Sequence, residues 1–268
     1  LSTISPAGAV TADGLSIEIE DVRAVELRAA EAWPETSHQM LAGWRLRHSP
    51  GVANRRANSV LPLHPLNGTS LDQAIMQVED FYREQNLPAR FMISPACEPS
   101  NLDQELATRG YHIDAPTDVQ WAQPSGVTRN NDALIDITLT ANPDLEWMSV
   151  YMEGVSDRPK IDKKMALIER IQGNRVLARL IQNDESVCVG LGVERDGWTG
   201  IFCMHTLHQH RRRGYARDVL VALANWGLNQ GAHQMYLQVE RDNPTARTFY
   251  ERCGFMTTYG YHYRTKES

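Results

Sequence analysis

Long apolar runs are missing from this chain. No stretch approaches the ~18 residues that would suggest a membrane span, and the opening LSTISPAGAV lacks the basic segment of an export signal. The expectation is a cytoplasmic protein that is neither inserted nor exported, with a start at Leu1 that also fits a processed or trimmed form. Cysteine is scarce. Cys97, Cys188, Cys203 and Cys253 stand far apart with no CxxC spacing, which argues against a zinc site or a short-range disulfide framework and reads as reduced thiols. An excess of positive charge is lacking too: 27 Lys and Arg against 33 Asp and Glu leave a net charge of -6. Holding duplex DNA or an anionic membrane is therefore not the expected task.

What is there is 42% apolar residues, enough for a proper core in 268 residues arranged as one large domain or two small ones. Two stretches can be laid over each other. EQNLPARFMIS (Glu84 to Ser94) matches NQGAHQMYLQV (Asn229 to Val239), each a helix end, a small linker and an apolar strand. After a one-residue gap, NLDQELATRGY (Asn101 to Tyr111) falls on TARTFYERCGF (Thr245 to Phe255), each a short helix closed by Gly and an aromatic residue. The chain reads as a duplication. WAQPSGVTRNND (Trp121 to Asp132) reads as the linker, which sets a boundary near residue 130 between modules 1–130 and 131–268.

In the first half the pattern predicts strands at Trp44 to Arg47 and Asn58 to Leu63, a Ser49-Pro50-Gly51 turn, and a helix over Leu71 to Gln85. Leu71, Ile75, Val78 and Tyr82 supply that helix with a sheet-facing stripe. In the second half MALIERI is helical, VLARLIQ and SVCVGLGVE are strands, and Asp196-Gly197 turns the chain into a third strand, WTGIFCMHTL. A helix from Tyr215 to Gln230, a strand at Met235 to Glu240, a short helix and a last strand, MTTYGYHYR, follow. The fold class is α/β (mixed α+β), with a mostly antiparallel sheet flanked by helices in each half.

Between the third strand and the long helix lies HRRRGYARDVL. Three arginines would be an ordinary solvated face were they not set in a strand-turn-helix. Helix N-termini carry unsatisfied donors and partial positive charge, so phosphate sits there naturally, and Gly214 lets the backbone approach it. Nucleic acid is disfavoured because the chain is acidic and no aromatic platform is interleaved with the arginines. A metal held by His205, His208 and His210 is disfavoured because carboxylate or thiolate partners are missing, so no metal is expected.

RRRGYA resembles the [Q/R]-x-x-G-x-[G/A] loop of the GNAT acyltransferase superfamily, and NPTARTFYERCGF is similar to that family's N-x-x-A-x-x-x-Y-x-x-x-G-F segment, with Asn243, Ala246, Tyr250, Gly254 and Phe255 in register. The resemblance covers about residues 134 to 264. More faintly, GWRLRHSPGVANRRANSV (Gly43 to Val60) resembles the N-terminal half of a bacterial two-module subfamily, some members of which are linked to amino-acid acetylation, including N-acetylglutamate synthesis. The repeat sets Leu66, Thr69 and Leu71 where Arg211, Gly214 and Ala216 stand, and Leu106 where Tyr250 stands. The first half is thus expected to be degenerate, structural or substrate-shaping.

The resemblance implies an acetyl-CoA-dependent N-acetyltransferase. Its pyrophosphate loop would be Arg211, Arg212, Arg213, Gly214, Tyr215, Ala216 and Arg217, its pantetheine strand Met204, His205 and Thr206, with Asn243 beside the cofactor. Tyr250 would protonate the departing thiolate, and the Met204 N-H would face the acetyl oxygen. The strand positions that often carry a family base are Gly200 and Phe202, which cannot take a proton. Glu240, His205 and Glu194 remain as candidates, with Glu240 acting through water preferred, and bulk solvent is the alternative. The acceptor is expected to be a small-molecule amine, an amino acid or amine-bearing metabolite or antibiotic. A protein-directed acetyltransferase and a non-catalytic acyl-CoA sensor are the alternatives. The assembly is expected to be a monomer or homodimer.

Overall fold

The computed structural model describes residues 9–10, 16–52, 54–128 and 136–267. In the second half β8 (Ile137–Thr140), β9 (Asn174–Gln182), β10 (Glu185–Arg195) and β11 (Trp198–Thr206) form an antiparallel meander. Two-residue loops join its long strands. Asn183-Asp184 and Asp196-Gly197 have positive φ at both positions, the twist that suits tight hairpins. Helix α7 (Tyr215–Asn229) then crosses over the sheet, and β12 (Gln234–Glu240) returns parallel to β11. Val219, Leu220, Leu223 and Gly227 form the buried face of α7, while Ala216, which the same spacing predicts for that face, is only partly buried. Gly227 is required there because a Cβ would strike Thr199 Oγ1.

The first half runs through α1 (Ile19–Ala32), β3 (Ser37–Leu41), β4 (Trp44–His48), β5 (Val60–Leu61), α2 (Leu71–Glu84), β6 (Ala89–Ile93), α3 (Leu102–Thr108) and β7 (His112–Ala122). It repeats the strand-helix-strand crossover, since β5 and β6 are parallel on either side of α2. Ile75, Val78 and Tyr82 are buried as the stripe requires, and Leu71 at its start is only partly buried. The strand expected over Asn58 to Leu63 shortens to Val60–Leu61, because Ala57 and Asn58 are held in turns by the Asn54 and Asn58 side chains. After α8 (Pro244–Arg252) the chain ends on β13 (Met256–Lys266). A separate two-stranded ribbon pairs β1 (Ala9–Val10) with β2 (Ser16–Ile17).

The two sheets expected for the halves are joined edge to edge in one 11-stranded sheet, ordered β3-β4-β5-β6-β13-β7-β12-β11-β10-β9-β8. By the repeat, β7 follows α3 as β13 follows α8. Yet β7 pairs with β12 and β13 pairs with β6, both antiparallel, and the two meet each other at the centre. Each half has given its last strand to the other. The expected linker is correspondingly shorter than its composition suggests: Trp121 and Ala122 close β7, and Pro124–Val127 form helix α4. The expected boundary near 130 lies outside the described residues.

Helices cover both faces of the second half. Helix α7 packs Leu220 and Leu223 over Ile201 and Leu237. On the other face α1, α5 (Leu145–Tyr151) and α6 (Arg158–Glu169) bring Val25, Trp147 and Leu167 against Leu191 and Phe202. No helix among the described residues is long and apolar enough to cross a membrane.

Candidate active site

Strands β11 and β12 are hydrogen-bonded only from Trp198–Ile201 against Gln234–Leu237, and beyond that point they part. The cause is local. On the β10 side Leu191 faces Phe202 but Val189 faces His205, so Gly190 alone opposes both Cys203 and Met204. Cys203 takes a φ of 53°, the left-handed turn that accommodates the extra residue. Gly190 has no room for a Cβ, which would lie 2.9 Å from Val219 Cγ1. The bulge bends β11 away from β12 and opens a cleft.

That cleft holds a cavity of about 560 Å³ bounded by Met204, Tyr250, Asn243, Ala246 and Glu240. A second cavity of about 550 Å³ adjoins it on the side of the first half, reaching Trp33, Asn54, Arg55, Arg90 and Tyr263. Arg56, Tyr151, Phe202, Cys203, Gln238 and Glu240 belong to the walls of both.

The arginine loop stands at the open end of β11. After a single 3-10 turn, His208–His210, the chain passes Arg212 at φ 61° and enters α7 through Gly214 at φ 92°, with no side chain capping the helix. A Cβ at Gly214 would meet nothing closer than Asp218 Oδ2 at 3.9 Å, so backbone conformation rather than crowding demands glycine. Glu153 anchors the loop, accepting from the His208 N-H at 3.0 Å and pairing with His205 Nε2 at 3.0 Å. The His205 contact, followed by the His208 N-H, holds the Glu153 pKa below its ordinary value. Arg211 Nε donates to the Thr206 carbonyl at 3.1 Å, tying the loop to the strand end.

The corresponding helix of the first half is closed. Ser70 Oγ accepts from the Gln73 N-H, and Gln73 Oε1 accepts from the Ser70 N-H, each at 3.3 Å, so a capping box occupies the donors that α7 leaves open. Leu106, at the position equivalent to Tyr250, is fully buried.

Tyr250 sits on α8 between Phe249 and Phe255, with ring centroids 5.0 and 5.9 Å away. Burial raises its pKa, so the phenol keeps its proton at neutral pH. Asn243 caps α8 by accepting from the Ala246 N-H at 3.1 Å, and it lines the cleft. Of the three carboxylate or imidazole candidates for a base, only Glu240 reaches the cleft, where Arg55 Nη1 lies 3.6 Å from it. Glu194 instead holds the far hairpin, accepting from the Gly197 N-H at 3.0 Å. Gly200 and Phe202 belong to an aromatic stack: Phe202 lies 6.2 Å from Trp33 and 6.0 Å from Tyr236, and a Cβ at Gly200 would collide with the Tyr236 hydroxyl.

Trp33, Arg56, Tyr151, Cys203 and Gln238 were not predicted as site residues. Tyr151 hydrogen-bonds Cys203, whose thiol burial pushes up to about 12. Only the Arg55-Arg56 pair, inside a run of small residues, left a signal in the sequence.

Solved structures share this fold along nearly the whole chain. A GCN5-related N-acetyltransferase from Kribbella flavida superposes with a TM-score of 0.68 at 12% identity, covering 92% of this chain and 95% of its own. A tandem GNAT protein from the clavulanic acid biosynthesis pathway gives 0.66 at 10% identity, with 91% and 87% covered. The fold is thus that of the GNAT acyltransferase class. Within that class it belongs to the family described as "Probable histone acetyltransferase Rv0428c C-terminal", matched over residues 19–264. It is 30% identical to the "Uncharacterized N-acetyltransferase YobR" of Bacillus subtilis (strain 168), over 92% of this chain and 100% of that one. It is 26% identical to the "Probable histone acetyltransferase Rv0428c" of Mycobacterium tuberculosis (strain ATCC 25618 / H37Rv), over 81% of this chain and 66% of that protein.

Proposed function

We propose that this protein transfers the acetyl group of acetyl-CoA directly to the amine of a small molecule, in a C-terminal module of residues 131–268 whose acceptor side is shaped by a degenerate module of residues 1–130. The observation that carries the reading is the cleft between β11 and β12, which opens with the uncapped start of α7 at one end and Tyr250 at its wall. Acetyl-CoA supplies, when bound, an acetyl group on a thioester activated toward amines.

The chain's own residues then divide the work. The backbone of Arg211, Arg212, Arg213, Gly214, Tyr215, Ala216 and Arg217 holds the pyrophosphate at the helix N-terminus, with arginine charge beside it. The backbone of Met204, His205 and Thr206, freed from β12 by the splay, accepts the pantetheine amides, and Asn243 flanks them. Met204 N-H stabilises charge on the acetyl oxygen. Tyr250 holds the proton that the leaving thiol requires, and Glu240 takes the amine's proton through water. A cytoplasmic location suits such a reaction.

A small acceptor is favoured because the second cavity is walled by both halves and bounded at about 550 Å³. The printed name of the mycobacterial relative favours a second reading, acetylation of a protein. A screen that follows CoA release separates them, with one panel of small amines and one of lysine-bearing histone-tail peptides. Turnover confined to the peptides would overturn the small-molecule reading.

A further inference from the structure

The second cavity is rich in donors that have nothing to donate to. Trp33 Nε1, Arg56 Nε and Gln238 Nε2 are all buried without a hydrogen-bond partner, and all three side chains line this one space. Leaving a buried donor unmatched costs the full desolvation of that group, so three in one cavity call for an acceptor supplied from outside.

The acceptor they call for is anionic. Arg56 lies over the Phe202 ring at 5.8 Å and hydrogen-bonds the Tyr261 hydroxyl, contacts that orient the guanidinium without neutralising it and leave its Nε unmatched. Arg47 is also buried, donating to Ser59 and Met92. Two carboxyls act on this pair among the described residues: Glu35, already paired with Arg45 and His38, and Glu26, which is bound by Tyr259 and whose pKa burial raises to about 7. The carboxylate on the cavity wall, Glu240, is engaged by Arg55, which also binds Asp114 at 2.8 Å.

Position narrows the ligand further. Arg56 and Gln238 border both cavities, so an anion on them sits at the junction with the compartment that contains Met204 and Tyr250. The shared walls make the two compartments adjacent, so the anion and the amine being acetylated occupy neighbouring spaces.

We infer that the acceptor is an amine bearing a carboxylate close to the reacting nitrogen, as in an α-amino acid, and that Arg56, Gln238 and Trp33 bind that carboxylate. This rests on the acetyltransferase reading above, and names the acceptor class for the same site. Arg56 and Gln238 are specificity-determining residues for it. A protein lysine, which presents no such carboxylate, would leave the three donors unmatched.

The test compares L-amino acids with their amides, L-alanine against L-alaninamide and L-glutamate against its α-amide, in the wild type and in Arg56→Gln. Wild type should favour the acids by about 10- to 100-fold in kcat/KM, the range for losing hydrogen bonds to a charged group. Arg56→Gln should collapse that ratio chiefly through KM, and Arg56→Lys should restore part of it. Equal use of acids and amides by the wild type overturns the inference and leaves the acetyltransferase reading intact. Calorimetric titration of the same acids and amides into the CoA-loaded wild type adds a readout that needs no turnover and no variant. Binding of the acids alone supports the inference even if transfer fails, and equal or absent binding of both overturns it.

Discussion

Glu26 and Tyr259 stand 233 positions apart in the chain, yet the tyrosine hydroxyl donates to Glu26 Oε1 at 2.7 Å in the interior. The bond ties α1 of the first half to the last strand of the second. Desolvation raises the Glu26 pKa from 4.5 to about 7, outweighing the Tyr259 bond and the two arginines that lower it. Between those values the unfolded chain has released the proton that the folded chain still holds. Stability therefore falls as pH rises from about 4.5 to 7, and levels off above that.

Glu26→Gln keeps an acceptor for Tyr259 and removes the titration. Its melting temperature relative to wild type should rise between pH 5 and pH 8, by roughly 5 °C for a chain of this size. A difference that is flat with pH would mean Glu26 is ionised throughout.

Tyr250→Phe preserves the ring between Phe249 and Phe255 and deletes the proton. Acetyl-CoA affinity and stability should change little, while single-turnover transfer should drop by about 100- to 10,000-fold. Unchanged transfer would remove Tyr250 from the chemistry and leave solvent as the donor.

Acetyl-CoA should bind once per chain. The start of α2 is occupied by its own capping box, whereas α7 is uncapped. Calorimetric titration should return a single site, and saturation at 100 times the dissociation constant should add about 2.7 kcal/mol of stability. Two equivalent sites would contradict the closed reading of α2.

Gly214→Val should weaken acetyl-CoA binding more than Arg213→Ala. Valine at φ 92° is strained and would pull the loop out of shape. Arg213 supplies one exposed charge of three, its Nη2 resting on the Gln209 carbonyl at 3.4 Å, and its loss should cost only a few-fold. Equal losses from the two variants would shift the weight from backbone to side-chain charge.

Much of the second half was legible because its signals are local. Asp196-Gly197 marks a hairpin, the spacing of Val219, Leu220 and Leu223 marks a helix, and Gly231 closes it with a φ of 90°. Strand β7 escaped notice because Pro116, Asp114 and Asp118 obscure its apolar alternation. Its place is fixed by partners at Met235–Glu240 and Met256–Thr265, which no short window contains. Helix α1 went unread for a related reason, since its buried face rests largely on alanines and on Glu26. The donors Trp33, Arg56 and Gln238 come from three remote segments, and only folding brings them to one cavity. The placement of Tyr250 at the cleft wall and of Gly214 at the start of α7 was readable because each lies inside a contiguous motif.

The exchanged strands also govern when the molecule can become itself during synthesis. Residues 112–122 emerge from the ribosome with neither lateral neighbour yet made, since both belong to residues 234–266. At roughly 5–20 residues per second, that leaves an unpaired strand waiting on the order of 6–22 s before its first partner appears. An open strand edge held that long is a template for pairing with another nascent chain. The exchange thus carries a temporal hazard that independently closed sheets would not, and the nascent protein depends on whatever shields β7 until translation has almost finished.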